Sequence, residues 1–297
     1  MHPQLIARRT ILRMRHIPSI GRSTPRSDQW VRARRARSGL KCVAGLASIG
    51  ALTATPAGQY YQGYAYAADD QRLLYREAHW LYSENGVEHR LVVYTCPDGA
   101  PFVRKRVDSA PGAATPDVDL LDGRGGYREG VRTQDGRREV FAQADARSPE
   151  RRAALPLPPP PNAVIDAGFD AFVREHWDVL SGAGVSPVPF LVPSQLRYLD
   201  FSAHMLSDSH ADGTGLRWFR LSLAGWYGFA LPHIDVGYDV QTHELREYRG
   251  LSNIRDAAGR NLSVRILFPP SERRTDVTAA DAERAAATPL TGRCTFQ

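Results

Sequence analysis

The chain has 297 residues, of which 42% are hydrophobic and 24% charged, as in ordinary globular proteins, and this composition excludes disorder throughout. Its net charge of +6 comes from one end. Residues 1–67 hold eleven of the 38 Lys and Arg residues and one of the 32 Asp and Glu residues, leaving 27 basic and 31 acidic residues elsewhere. The rest of the chain is therefore mildly acidic. This argues against nucleic-acid binding, which needs clustered positive charge on the folded domain.

The N-terminal segment has the composition of an export signal. Basic residues at 32–41 precede an apolar, small-residue stretch at 42–57, and small residues suited to cleavage end at Ala57 and at Ala67. We expect 1–67 to be a basic leader and signal peptide, cleaved after Ala67 because an acidic segment follows. A bilayer span needs about 20 apolar residues, so no stable span is expected after cleavage. The expected location is periplasmic or secreted; a basic leader on a cytosolic protein is the alternative.

Cysteine usage is consistent with export. If Cys42 is removed with the signal, Cys96 and Cys294 remain, an even number in an oxidising compartment. We expect a disulfide between them. Two free, buried thiols are the alternative.

Residues 68–268 are predicted to form one β-rich domain that opens with a meander at 73–107. Asn85-Gly86 lies between two β-prone segments, the pattern of a two-residue hairpin turn. One face of this hairpin is expected to be largely apolar and to cover a core, and the other to be wet. The expected pairs on the first face are Trp80 with Leu91, Ala78 with Val93 and Tyr82 with His89. The second face carries Glu77, His79 and Arg90.

The remaining elements alternate between β patterns and one helix. A second hairpin is expected at 126–144, followed by a charged and proline-rich loop at 147–162. Apolar residues at helical spacing predict an amphipathic helix from Asp166, its N-cap, to Leu180. Further strands are expected up to residue 268. Residues 269–297 are expected to be a polar tail with a short helix at 276–287.

This order predicts a mainly β fold with one principal helix, an α+β architecture in which a curved antiparallel sheet packs on the amphipathic helix. Hairpins, a crossing helix and a second meander resemble the periplasmic half-barrel proteins of the lipoprotein-carrier type. The segments 190–194, 250–254 and 264–268 look like exported bacterial proteins of unassigned function. The resemblance rests on architecture and implies a curved sheet, which in some members holds acyl chains. Activity does not follow from fold alone.

No motif for catalysis or metal binding survives comparison with a simpler explanation. A nucleophile elbow, a His-Glu-x-x-His helix, a Cys-x-x-Cys pair, a phosphate loop and a dinucleotide fingerprint are missing from the sequence. His243-Glu244 lacks the second histidine of a zinc helix, and the segment 208–213 lacks the closing glutamate of a calcium loop. The glycines at 123–126 are expected to form an ordinary turn. We therefore expect no catalytic residue, no metal and no cofactor.

The most unusual local feature is a set of aromatic residues after the predicted helix. Aromatic side chains usually fill cores, but they also line apolar ligand sites. We expect an envelope protein that binds a lipid or other amphipathic ligand in the concavity of the sheet. An interaction or scaffold module that binds another envelope protein is the alternative, and an enzyme is less favoured. The residues expected to line the cavity are Phe172, Trp177, Trp218 and Trp226.

Overall fold

A computed structural model describes residues 58–182, 184–211, 214–225, 233–294 and 296. In these residues, sixteen strands form one curved sheet whose two ends do not pair with each other. The first strand of the described residues, β1 (Gly58–Ala67), lies in the middle of that sheet. One meander extends from each of its edges, so the fold is mainly β, as the sequence predicts.

The first meander runs outward from β1 in chain order, and every neighbouring pair is antiparallel. Its strands are β2 (Leu73–Glu84), β3 (Val87–Thr95), β4 (Pro101–Asp108), β5 (Asp117–Asp122), β6 (Arg128–Gln134), β7 (Arg137–Gln143) and β8 (Arg151–Ala154).

The second meander runs inward from the other edge of the sheet and ends against β1. Its strands are β9 (Val164–Ile165), β10 (Ser186–Val192), β11 (Arg197–Ala211), β12 (Thr214–Leu223), β13 (Ile234–Asp239), β14 (Leu245–Arg255) and β15 (Asn261–Leu267). A last short strand, β16 (Arg274–Val277), pairs with the beginning of β1.

The curvature of the sheet brings its two ends together. Val131 and Val140, from β6 and β7, share a buried cluster with Ile165 of β9 and Leu191 of β10, although many strands separate these pairs along the sheet. Arg151 of β8 donates a hydrogen bond to the carbonyl of Ser194, just after β10, at 2.9 Å. The predicted loop at 147–162 contains β8 and then connects the two ends.

Strand β1 changes where the folded domain begins. It pairs with β2 from Gln59 to Tyr66 and with β15 from Tyr64 to Ala67, and Ala65 is fully buried. The small residues at 65 and 67, followed by an acidic segment, predict instead that these residues end the leader. The structure assigns residues 58–67 to the sheet, whereas the rest of the predicted leader, 1–57, lies outside the described residues.

The hairpin at Asn85-Gly86 has the predicted register. Trp80 pairs with Leu91, Ala78 with Val93 and Tyr82 with His89. Both turn residues have positive φ, 52° and 79°, as this type of turn requires. The prediction of a wet face was wrong, because Glu77 and His79 are only 6% and 7% exposed and face the interior.

The predicted helix at 166–180 is two short helices, α1 (Gly168–Glu175) and α2 (Trp177–Ser181), separated at His176. The N-cap position of α1 is Ala167 rather than Asp166, whose carboxylate binds other side chains. Both helices contribute to a buried cluster with strands β10 to β13. None of the helices in the described residues is long and apolar enough to cross a bilayer.

The predicted polar tail is folded. After β16, helix α3 (Ala279–Ala287) begins at a capping box formed by Thr278 and Asp281. Its buried alanines pack on Leu91 and Val93. These two residues lie on the hairpin face that is predicted to cover the main core. Beyond α3, Cys294 forms the predicted disulfide with Cys96, which follows β3. The disulfide thus ties the end of the chain to the first meander.

Candidate ligand cavity

The concave side of the sheet contains a cavity of about 440 Å³. Its walls come from both meanders, from β1 and from the segment that leads into α1. Sites for small molecules typically measure about 300–1,000 Å³ and combine apolar walls with a few placed polar groups. The cavity therefore has the size of a ligand site, and the chemistry of its walls decides what it could hold.

The part of the cavity wall that strands β10 to β13 form is apolar. On β13, the side chains of Ile234, Val236 and Tyr238 line the cavity at every second position, as expected when one face of a strand points inward. None of the described lining residues on these four strands is charged. They include Phe190, Leu191, Phe201, Leu221, Ile234 and Val236. Strand β14 of the same meander adds polar groups to the cavity, Asn253 and Arg255.

The wall from the first meander carries buried charge. Cross-strand pairing places His79 of β2 opposite Val92 of β3, and Val92 opposite Lys105 of β4. The same row continues from Lys105 to Leu120 of β5 and then to Glu129 of β6. Residues paired in this way point to the same face of a sheet, so His79, Lys105 and Glu129 all reach the cavity. Glu77 and Arg90 line it as well.

Lys105 is held by a carboxylate from across the cavity. Its Nζ lies 2.8 Å from Oδ2 of Asp166, and Lys105 is only 7% exposed. The other carboxylate oxygen of Asp166 accepts a hydrogen bond from the Asn253 amide. Asp166 has a φ of 45°, in the left-handed region that aspartate tolerates better than most residues. Burial by itself would raise the pKa of Asp166, but Lys105 and Asn253 more than offset it and hold that pKa below its ordinary value.

A second ion pair lies beside the first. Nη2 of Arg90 is 3.3 Å from Oδ2 of Asp170 in the first turn of α1, and Arg174 reaches the same oxygen at 3.0 Å. Arg90, Ala167 and Asp170 also line a smaller cavity of about 280 Å³. The Arg90–Asp170 pair therefore lies where the two cavities meet.

His79 and Glu77 form a buried pair on β2. Nε2 of His79 lies 3.0 Å from Oε1 of Glu77, and the ring stacks on Tyr61 with centroids 4.4 Å apart. Within the described residues, Nδ1 of His79 has no hydrogen-bond partner. Burial lowers the pKa of His79, and the bond to Glu77 offsets that only in part. The imidazole is thus held neutral, with Nε2 as the protonated nitrogen.

The pKa of Glu129 is shifted in the direction opposite to that of Asp166. Burial raises its pKa, although a hydrogen bond from the Tyr127 hydroxyl at 2.5 Å works against the rise. Arg255 donates to the same hydroxyl at 2.7 Å and stacks over the Tyr127 ring at 3.7 Å. The charged wall is therefore a set of connected polar groups rather than isolated charges.

The aromatic residues predicted to line the site occupy other places. Phe172 and Trp177 are buried in the cluster between the helices and β10 to β13, and Trp177 stacks on His243 at 3.8 Å. The Trp218 indole donates to the Ser209 hydroxyl at 3.0 Å. None of these three belongs to the lining of the cavity. Trp226 lies outside the described residues.

Carboxylates of the three discounted motifs form ion pairs in the described residues. Asp208 pairs with Arg217 at 2.9 Å, and Asp122 binds Arg124 within its own turn at 2.6 Å. Glu244, beside His243, pairs with Arg246 at 3.1 Å. The described part of the chain contains no group of three or more His, Cys, Asp or Glu residues placed to hold a metal ion.

Sequence reasoning missed Lys105, Asp166 and Arg90 as members of a site. Arg90 is predicted to face solvent, because charge on one face of a strand usually indicates exposure. Asp166 is predicted to be the N-cap of a helix. A signal was present, since Lys105 occupies an inward position between Val103 and Val107 of the same strand, both of which are buried. A charged residue at an inward position between buried apolar residues is consistent with a strand that lines a cavity.

No protein-family model and no curated protein matches the chain. Among solved structures, a β-barrel-like protein of the domain of unknown function DUF1849 from Brucella abortus is 7% identical, with a TM-score of 0.45, covering 74% of this chain and 98% of that one. A DUF1329 family protein from Desulfovibrio piger ATCC 29098 is 12% identical, with a TM-score of 0.29, covering 78% and 92%.

A third similar structure is a putative outer membrane lipoprotein-sorting protein domain from Vibrio parahaemolyticus. It is 9% identical, with a TM-score of 0.24, and the match covers 78% of this chain and 92% of that one. Likeness at this level gives no information on the chemistry of the cavity, which depends on the residues of this chain.

Proposed function

We propose that this protein binds an amphipathic small molecule in the cavity of its curved sheet. The observation that carries the proposal is the division of the cavity into two walls. An apolar wall from β10 to β13 faces buried polar and charged groups from β2 to β6. A purely apolar ligand would leave unused the free hydrogen-bonding capacity of the second wall, such as Nδ1 of His79, and a purely polar one would leave the first wall without apolar contacts.

The physical gain from such a ligand is concentrated on the apolar wall. Each buried methylene contributes about 0.8 kcal/mol of transfer free energy, so an alkyl chain can supply most of the affinity. The polar wall then sets which end of the molecule enters, because a buried polar group without a hydrogen-bond partner costs free energy. This division of labour is common in small-molecule sites.

The proposed location is outside the cytoplasm. A disulfide between Cys96 and Cys294 persists in an oxidising compartment, and the basic leader has the order of an export signal. In this proposal, a protein of the envelope or the secreted fraction meets amphipathic molecules at or near a membrane surface.

The test is direct binding of a fluorescent fatty acid, dansyl-labelled undecanoic acid, to delipidated protein. We expect saturable binding with one molecule per chain. Ile234→Trp places extra volume at a lining position and should weaken binding by about tenfold, the equivalent of about 1.4 kcal/mol. Val185→Trp is the matched control, since Val185 is 64% exposed and does not line the cavity.

Circular dichroism would first establish that both variants are folded. Absence of binding by the native protein would contradict the proposed function. Equal affinity of the native protein and the folded Ile234→Trp variant would show that the ligand binds outside this cavity.

A further inference from the structure

The two cations on the charged wall have counter-ions that come from one separate segment. Lys105 and Arg90 lie on adjacent strands of the sheet, whereas Asp166 and Asp170 lie in and just before α1. Arg90 pairs across the strands with Val107, two residues from Lys105, so the cations are diagonal neighbours about 7–8 Å apart at the backbone. They form a compact basic site inside a cavity.

The ammonium group of Lys105 can donate more hydrogen bonds than it does in the structure. It carries three donors, and the described residues offer it one hydrogen-bond acceptor, Asp166. Lys105 is nevertheless buried, with 7% of its surface exposed. A buried cation with spare donors and a cavity in front of it can bind an anionic group that enters the cavity.

Exchange of one anion for another keeps Lys105 paired. A ligand anion that takes the place of Asp166 leaves one opposite charge next to that lysine, while the displaced Asp166 carboxylate keeps the hydrogen bond from the Asn253 amide. The other two carboxyl groups on this wall are already engaged, Glu77 by His79 and Glu129 by the Tyr127 hydroxyl. Asp166 is therefore the carboxylate that competes most directly with an incoming anion.

We propose that Lys105, with Arg90 beside it, binds the anionic head group of an amphipathic ligand, and that Asp166 occupies this position when the ligand is absent. The proposal rests on the proposed function and specifies the ligand class: a carboxylate or phosphate head on an apolar chain. The chain lies against β10 to β13, and the head replaces Asp166 at the lysine.

The first test needs no substitution. Dansyl-labelled undecanoic acid and its methyl ester share the label and the alkyl chain, and the ester replaces the charged carboxylate by a neutral head that is one methyl group larger. The ratio of their affinities for delipidated native protein therefore reports mainly on the charge of the head group. We expect the acid to bind about tenfold or more tightly than the ester, in line with coupling energies of desolvated charge pairs. Excess inorganic phosphate should fail to displace the acid, because it has no apolar chain.

Two variants then assign the effect to the ion pair. Lys105→Met retains the length and apolar stem of the lysine, and we expect it to bring the acid and the ester to within about threefold of each other. Asp166→Asn removes the competing charge, so the ratio of acid affinity to ester affinity should rise several-fold above that of the native protein. The matched control is Arg106→Met, next along β4, which pairs with Glu283 in solvent and should change neither affinity.

The outcomes separate this inference from the proposed function. Equal affinity of the native protein for acid and ester overturns the head-group assignment and leaves the proposed function standing. Binding of neither probe overturns both. Displacement of the acid by inorganic phosphate shows a site for free anions and overturns the amphipathic ligand class. Should Lys105→Met fail to fold, the acid and ester comparison in native protein and in Asp166→Asn still decides.

Discussion

The imidazole of His79 is fixed in one tautomer by its neighbour two residues earlier. The Glu77 carboxylate accepts from Nε2, so in the neutral ring Nδ1 is the nitrogen without a proton. The ring stacks on Tyr61 and contacts Phe268 edge-on, and only 7% of His79 is exposed. A second proton would place a positive charge in this buried position, so burial lowers the pKa of His79, and the nearby cations Arg90 and Lys105 lower it further.

This environment predicts a pH dependence of stability. The ordinary pKa of histidine is about 6.5, and that of His79 in the folded protein lies lower. As pH falls below about 6.5, the unfolded chain binds a proton that the folded protein resists, so the free energy of unfolding decreases. His79→Gln can still donate to Glu77 but does not titrate. Urea unfolding at pH 7.5 and 5.5 should therefore show a smaller loss for the variant, and an equal loss would refute the buried, neutral histidine.

At the level of elements, helix α3 decides which face of the first hairpin is inside. Leu91 and Val93 pack under the buried alanines 282 and 286, so an apolar strand face is covered by a helix from the far end of the chain. The other face can then carry Glu77 and His79 into the cavity. Two covered faces of one strand pair have opposite polarity, an arrangement that requires hydrogen-bond partners on the charged side, such as the one that Glu77 provides for His79.

The coverage by α3 is tested with adjacent alanines. Ala286 is 3% exposed, whereas Ala287 is exposed on the same helix. Ala286→Glu should lower the free energy of unfolding by roughly 2–3 kcal/mol, because a carboxylate would lose its hydration against Leu91 and Val93. Ala287→Glu should change it by less than about 0.5 kcal/mol. Similar losses for both variants in urea titrations would be inconsistent with a packed α3.

The same elements show what a sequence can predict. The register around Asn85-Gly86 follows from turn chemistry within a few residues, and the structure confirms it. Which face is wet depends on α3 and on the cavity, both made by residues distant in sequence. The Asp166 cap failed for a related reason: its carboxylate has a stronger partner, Lys105, on a strand that the helix pattern does not reveal.

For the whole molecule, the position of β1 is decisive. Both meanders pair with this strand, so its removal would expose the backbone edges of β2 and β15 together. Sequence alone could not distinguish its small and aromatic residues from the end of a signal, because both readings fit the composition. We propose that processing occurs at the earlier small-residue site, after Ala57, which leaves β1 intact.

Two shortened chains test this boundary. A chain starting at Gly58 should fold, with a cooperative thermal transition and near-ultraviolet dichroism from its ordered aromatic residues. A chain starting at Ala68 lacks the central strand and should show neither. N-terminal sequencing of the exported protein should give a start no later than Gly58. A folded, exported protein beginning at Ala68 would disprove the boundary.

The central claim, an amphipathic ligand with its chain against the second meander, is tested most directly by photo-crosslinking. A fatty acid with a diazirine near the end of its alkyl chain would be irradiated with delipidated protein, and the labelled positions identified by mass spectrometry. We predict saturable labelling of β10 to β13 at the cavity wall, at positions such as Phe190, Phe201, Leu221 and Val236. Labelling confined to exposed residues such as Val179 and Val185, or labelling that does not saturate, would contradict the claim.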